Sequence, residues 1–259
     1  MEISYDYLLQ HWELFLLILM RISTFIFVAP FFSIGNTPVR VKVGFSIFLS
    51  ILIYSVLPEQ SYSYDGLLGY AILILKESVI GLLIGYMTYV CVQCIHFAGH
   101  IIDINLGLSM ATMYDPATKM QVNLSGQFYY YCIMLLMMVS GLHQFLIKAI
   151  VDTYTVIPVG AMTVNPSLMT TIISVVSQYF VIGFRIALPV FITIMILNCI
   201  LGILAKIAPQ MNMFAVGMQI KILVGLFVLY FTVMMIPSVS NHLMEVMKNV
   251  IIKVVKGLY

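Results

Sequence analysis

Long apolar runs separated by short polar stretches dominate this chain of 259 residues. Runs of this length indicate membrane helices, which need about 20 apolar residues to cross a bilayer. The run at 43–57 falls short of that length, whereas the run at 168–205 is too long for one crossing. The latter contains Arg185 and Pro189, so it predicts either two half-length helices joined at a bend or one span with a long extension. The runs occupy residues 8–32, 43–57, 67–95, 127–151, 168–205 and 210–236, and an amphipathic tail follows at 238–258.

The stretch at residues 105–116, with the sequence NLGLSMATMYDP, breaks this apolar pattern. It has a single carboxylate, no Lys or Arg, and several large apolar side chains, so it does not resemble a solvated loop. It also cannot face lipid, because its backbone and polar groups would lack hydrogen-bond partners in hydrocarbon. Irregular backbone at membrane depth survives where protein buries it or a cavity runs past it. We therefore expect a pore, a binding site or a plug.

The composition supports the membrane class. The chain is 62% hydrophobic and 8% charged, with a mean hydropathy of +1.08, whereas soluble domains are about a quarter charged. The net charge of +2 comes without a basic run, so no nucleic acid is expected as a partner. All four cysteines lie inside apolar runs and are interpreted as core residues. We predict an all-α, polytopic membrane protein.

The positive charges do not fit six simple membrane crossings. Arg40 and Lys42 mark the first loop as cytoplasmic, and three lysines mark the C-terminal tail the same way. Six crossings would place these two regions on opposite sides. We infer that some segments are kinked helical hairpins that do not cross the bilayer fully. The acidic N-terminus lacks a cleavage site, so the first segment is expected to remain as a signal anchor.

Several charged residues interrupt the apolar runs. Each costs about 2.5–3.5 kcal/mol at the centre of a helix that faces lipid, so we expect them to face protein or water. They predict either an ion or proton path or ion pairs between helices and subunits, and the second interpretation is favoured because most carboxylates have a basic neighbour. These packing or gating candidates are Glu13, Arg21, Lys76, Glu77, Arg185 and Lys221.

Two weaker motifs lie in the third run. His96, His100 and Asp103 share one helical face, and the His spacing is compatible with zinc. No fourth ligand is evident, so we predict no metal and expect these groups to cap the helix and anchor the loop that follows. Gly81 and Gly85 form a Gly-x3-Gly pair, which allows two membrane helices to pack closely.

Four motifs in order resemble the FliR family of export-gate subunits of the flagellar type III secretion apparatus. They are GLSMATMYDP at 107–116, GLH at 141–143, VDTYTVIPVG at 151–160 and LGILAKIAPQ at 201–210. The family is related to the T-type subunits of injectisomes. The resemblance covers nearly the whole chain, and its motifs keep the spacing of the family.

The resemblance implies a subunit without enzymatic activity or cofactor. Family members join P-type and Q-type subunits, and a B-type export component, in the bacterial inner membrane at the flagellar basal body. Unfolded flagellar proteins pass through this assembly. The implied fold is a P-like helical bundle at 1–185, with a central plug loop at about 105–122, followed by a Q-like helical hairpin and an amphipathic tail at 186–259.

In the family this loop projects into the channel as part of its plug. The resemblance makes Met110 and Met113 the bulky plugging side chains, mounted on a loop bounded by Gly107, Asp115 and Pro116. Apolar constrictions close a channel by dewetting, and thioether side chains can fill an irregular hole. Two other classes remain as alternatives. One is a secondary transporter or ion channel with a site at the broken segment, and the other is an intramembrane enzyme that uses the His and Asp residues of the third run.

Overall fold

The computed structural model describes residues 5–33, 37–57, 62–108, 123–210 and 212–259. These residues form helices and no strand, which confirms the predicted all-α class. The eight described helices are α1 (Tyr5–Val28), α2 (Val39–Val56), α3 (Gly66–Leu106), α4 (Leu124–Val139), α5 (Leu142–Val156), α6 (Pro166–Ile207), α7 (Met213–Val233) and α8 (Ile236–Gly257).

Five of the described helices are long and apolar enough to cross a membrane, namely α1, α2, α3, α6 and α7. The helices α4 and α5 meet at an angle of 67° and together form a broken or re-entrant span, which would make six. The chain is therefore a polytopic membrane protein, as predicted.

Two of the predicted segment boundaries are wrong. The run at 43–57 is not too short for a span, because α2 begins at Val39 and includes Arg40 and Lys42 in its first turn. The run at 127–151 is two helices, because the chain breaks at Ser140 and at Gly141, which has a positive φ of 76°. A glycine adopts this backbone angle without the steric penalty of a side chain.

The run at 168–205 is one continuous helix, α6, although Pro189 lies inside it. Its 42 residues extend for about 63 Å at 1.5 Å per residue. This length is roughly twice the hydrocarbon thickness of a bilayer. The helix α3, with 41 residues, is nearly as long. Both helices therefore extend well beyond a single perpendicular crossing.

The described chain divides into two compact units. Unit 1 contains α1, α2, the first part of α3, α5, the start of α6 and the end of α8. Unit 2 contains the end of α3, α4, most of α6, α7 and the start of α8. The predicted boundary at residue 185 between a P-like bundle and a Q-like hairpin stays a prediction.

In unit 1, α1 packs closely against α3. A side-chain carbon added at Gly81 would collide with the backbone carbonyl of Arg21, and one added at Gly85 would lie 3.0 Å from the carbonyl oxygen of Phe25. The absence of side chains at these two positions thus lets the backbones approach each other. This contact confirms the close helix packing that the Gly-x3-Gly pair predicts.

The C-terminal end of unit 1 is packed on the protein itself. The apolar face of α8 is buried there, with Met247 and Val254 at most 1% exposed. The backbone N–H groups of Thr163 and Asn165 donate to the carbonyls of Leu258 and Gly257 at 3.1 and 3.0 Å. The apolar face of this amphipathic tail therefore contacts its own chain rather than a membrane surface.

We expect Gly81→Ala to destabilise unit 1, because the added methyl group meets the backbone of α1. Overpacking of this kind costs about 1–3 kcal/mol. The melting temperature of the purified protein in detergent would measure the effect. Gly44→Ala is the matched control, since a side-chain carbon there meets nothing within 4 Å and alanine favours a helix over glycine by roughly 0.5–1 kcal/mol. Equal melting temperatures for the two variants would contradict the close contact.

Candidate functional site

A buried ion pair joins two helices of unit 1. The Nε of Arg21, on α1, donates to Oε2 of Glu77, on α3, at 2.6 Å, and both side chains are fully buried. Arg21 lies among Leu17, Ile18 and Phe25, which are at most 1% exposed. Two opposite charges in such an apolar setting stabilise each other only if their remaining hydrogen-bonding groups are also satisfied.

The last turn of α5 and the residue that follows the helix supply those remaining bonds. The Nη1 of Arg21 donates to the Thr153 hydroxyl at 3.1 Å and to the Ile157 carbonyl at 3.2 Å, and Nη2 donates to the same carbonyl. The guanidinium lies 4.1 Å from the centre of the Tyr154 ring. Charge-assisted hydrogen bonds of this kind are about twice as strong as neutral ones. The motif at 151–160 therefore wraps the cation.

The same segment also holds the anion. The backbone N–H of Gly160 donates to Oε1 of Glu77 at 2.9 Å. Gly160 has a φ of 80°, and its carbonyl accepts a hydrogen bond from Nζ of Lys76 at 3.2 Å. We refer to the set Arg21, Lys76, Glu77, Thr153, Ile157 and Gly160 as the buried charge cluster. It connects α1, α3, the end of α5 and the turn that follows α5.

The charged residues could be identified from the sequence, but their partners could not. Glu13 and Arg21 share a helix face, yet Glu13 accepts a hydrogen bond from the Tyr64 hydroxyl at 2.7 Å instead. That hydrogen bond raises the pKa of Tyr64. Lys221 is half-buried, and Arg185 is exposed and forms no hydrogen bond or ion pair with another described residue. The structure thus brings Arg21, Lys76 and Glu77 together and leaves the other three charges apart.

The central loop leaves α3 through a well-defined helix end in unit 2. The N–H of Leu108 donates to the Asp103 carbonyl at 3.0 Å, and the N–H of Gly107 donates to the Ile104 carbonyl at 3.1 Å. Gly107 has a φ of 76°. This pair of bonds around a left-handed glycine is a Schellman motif, which ends a helix and redirects the chain. Gly107 therefore fixes the direction in which the loop departs.

The loop returns at a second fixed point, the start of α4. The side-chain oxygen of Asn123 accepts from the Gly126 N–H at 2.8 Å and caps the helix, while its Nδ2 donates to the His96 carbonyl on α3 at 2.6 Å. Both oxygens of Asp103 lie 3.3 Å from the Ser125 N–H. We refer to these contacts as the loop anchor. They hold the two ends of the loop to the same short part of α3.

Small residues allow this anchor to form. A side-chain carbon at Gly99 would collide with the backbone of Gly126, and one at Gly126 would collide with the Asn123 side chain. The backbones of α3 and α4 are therefore in direct contact. Met110, Met113, Asp115 and Pro116, the remaining predicted plug residues, lie outside the described residues.

The polar residues considered for zinc have structural contacts in unit 2. The His96 ring stacks on Tyr130, with 4.6 Å between ring centres. Asp103 anchors the loop as predicted, but it does so at the first turn of α4, whereas α3 ends through backbone hydrogen bonds around Gly107. His100 is exposed. Within the described ranges, no three His, Cys, Asp or Glu side chains are grouped to hold a metal ion.

Comparison with known proteins identifies the family. The sequence model described as bacterial export proteins, family 1, matches residues 12–247. The chain belongs to this family. It is 30% identical to the flagellar biosynthetic protein FliR of Bacillus subtilis strain 168 over 245 residues, which cover 92% of this chain and 94% of the relative.

Other members of the export family show the same coverage. The FliR protein of Escherichia coli strain K12 is 27% identical, with 93% of this chain and 92% of the relative covered. The FliR protein of Aquifex aeolicus is 28% identical, with 90% of each covered. The resemblance inferred from the four motifs is thereby confirmed over most of the chain.

We expect Glu77→Gln to destabilise the protein strongly, because it leaves the buried Arg21 cation without its counter-charge. Removing one partner of a buried ion pair costs about 3–5 kcal/mol. Thermal unfolding in detergent would measure this, with the exposed Glu245→Gln as the matched control. The double variant Arg21→Met with Glu77→Met is expected to be more stable than Glu77→Gln. If Glu77→Gln and Glu245→Gln had the same melting temperature, the charge cluster would not hold the helices together.

We expect Asn123→Ala to loosen the central loop by removing both the α4 cap and the bond to α3. Loss of a cap costs about 0.5–2 kcal/mol of stability. If trypsin cleaves after Lys119 only when the anchor opens, this cost corresponds to about 2- to 30-fold faster cleavage. Asn212→Ala is the control, since Asn212 caps α7 through the Ala215 N–H. Equal acceleration in both variants would argue that Asn123 acts only as a helix cap.

Proposed function

We propose that this protein is a structural, pore-forming subunit of the flagellar type III export gate, with residues 105–122 as a plug in the closed channel. The match to bacterial export proteins over residues 12–247 carries the proposal. The relatives that cover nearly the whole chain are named flagellar biosynthetic proteins. In this role the protein forms part of a channel for unfolded flagellar proteins in the bacterial inner membrane, at the flagellar basal body.

The exposed apolar surface supports assembly with other membrane subunits. In the most apolar part of α6, only 17% of the residues are buried within this chain, and the fraction is the same for α7. Both helices carry large exposed side chains, among them Phe184, Ile196 and Phe227. P-type and Q-type subunits, with a B-type component, would cover part of this surface. The length of α6 favours such neighbours, since a bilayer covers only about half of it.

The loop anchor supports the plug. A plug must stay in place against an ion gradient and still yield to an unfolded chain, so it needs fixed ends and a deformable middle. The Schellman motif at Gly107 and the contacts of Asn123 supply fixed ends. Met110 and Met113 supply flexible apolar side chains between them, and an apolar constriction excludes water and ions.

The buried charge cluster favours the gate over a secondary transporter. A coupling carboxylate must release its ion or proton to water in one state. Both Glu77 oxygens are occupied, by Arg21 and by the Gly160 N–H, and the side chain is fully buried. The cluster therefore has the properties of a structural cross-link between helices.

We expect Met110→Ala with Met113→Ala to make the assembled gate leak ions, because two bulky apolar side chains are lost from the closure. The membrane conductance of cells that express the variant would measure the leak. P-type and Q-type subunits should co-purify with the double variant as they do with the unmodified chain. Met169→Ala, which removes an exposed methionine from α6, is the matched control.

Two results would count against the proposal. Unchanged conductance of a correctly assembled double variant would remove the plug role from these methionines. A chain that stays monomeric in detergent, without P-type or Q-type subunits after co-expression, would remove the gate role altogether.

A further inference from the structure

A cavity of about 230 Å³ lies inside unit 2. Residues of α4, α6 and α7, together with the first turns of α8, line it. Most of its wall is apolar and is formed by side chains such as Ile133, Ile182, Ile186 and Val239. The buried charge cluster belongs to unit 1, so the cavity is independent of it.

One permanent cation faces this apolar wall. Arg185 lines the cavity near the middle of α6, and it has no hydrogen bond or ion pair with another described residue. Its cationic guanidinium offers five N–H donors. None of the described residues that line the cavity is acidic. The site therefore presents positive charge that the chain itself does not neutralise.

Polar groups beside Arg185 add to this character. Ser238 and His242 line the same cavity from α8 and can donate hydrogen bonds. The cavity thus combines an apolar wall with a cation and with hydroxyl and imidazole donors.

We propose that this cavity binds an anionic phospholipid, with the phosphate paired to Arg185 and an acyl chain against the isoleucine wall. Arginine binds phosphate through two parallel hydrogen bonds, and the apolar wall matches a hydrocarbon chain. A membrane helix protein is surrounded by such amphipathic anions. A partly open cavity of this volume admits a narrow acyl chain but not a partner helix. The proposal extends beyond the gate role and depends only on the membrane location.

Lipid retention by the purified full-length protein in detergent tests the proposal. The protein is incubated with phosphatidylglycerol or with phosphatidylcholine of the same acyl chains, and the bound lipid is counted by native mass spectrometry. We expect preferential retention of phosphatidylglycerol and a loss of about tenfold or more in Arg185→Gln. Lys206→Gln removes an exposed cation from the last turn of the same helix and should retain the lipid.

Two further variants separate the parts of the site. Val239→Phe keeps Arg185 and fills the cavity, so it should also lose the lipid. Arg185→Lys keeps the charge and should retain more lipid than Arg185→Gln, although a lysine does not form the paired hydrogen bonds of arginine.

Equal retention of the two lipids, or equal loss in Arg185→Gln and Lys206→Gln, would overturn the proposal. Displacement of the lipid by inorganic phosphate alone would show a simple anion site, which also overturns it. A protein occupant would also overturn it. Such an occupant would be detected in a co-purified complex as a cross-link between position 185 and a carboxylate of a partner subunit, with no phosphatidylglycerol bound. The assay needs no export activity. A negative result therefore leaves the proposed gate function unaffected, and evidence against the gate function leaves the proposed lipid site unaffected.

Discussion

The ion pair between Arg21 and Glu77 is the interaction on which the arrangement of unit 1 depends. Each charge alone would be prohibitive in this apolar interior, because neither water nor lipid reaches it. Together they are tolerated only if the last turn of α5 contributes the Thr153 hydroxyl and the segment after it contributes the Ile157 carbonyl and the Gly160 N–H. Three parts of the chain, separated by more than fifty residues at each step, are thereby required to meet at one point.

This requirement explains why the contact between α1 and α3 uses glycine. The carbonyl that a side chain at Gly81 would strike belongs to Arg21 itself. The ion pair and the close backbone contact therefore occupy the same turn of α1, and each fixes the position of the other. Hydrophobic packing alone would permit the helices to slide, whereas the directed hydrogen bonds of the guanidinium select one register.

Much of the fold could be predicted from the sequence, because membrane helices are encoded by composition over about 20 residues. The pairing of Arg21 could not. Glu13 lies on the same helix face but about 12 Å away along the axis, and the true partner is distant in sequence. The break at Gly141 interrupts an apolar run without changing its hydropathy, and Pro189 fails to end α6. The motif at 151–160 can be recognised in the sequence, but its function as the hydrogen-bonding shell of Arg21 arises only from the tertiary packing of α1 against α5.

The loop anchor sets a geometric limit on how far the central loop can reach. Only the 14 residues from 109 to 122 separate Leu108 from Asn123, and both of these are tied to the same short part of α3. A chain held at both ends reaches outward by at most half of its contour, about 25 Å for seven residues on each side. The anchor thus limits the distance from α3 that any residue of the loop can reach. In the proposed gate, an opening beyond this distance would have to be closed by a neighbouring subunit, whatever side chains the loop carries.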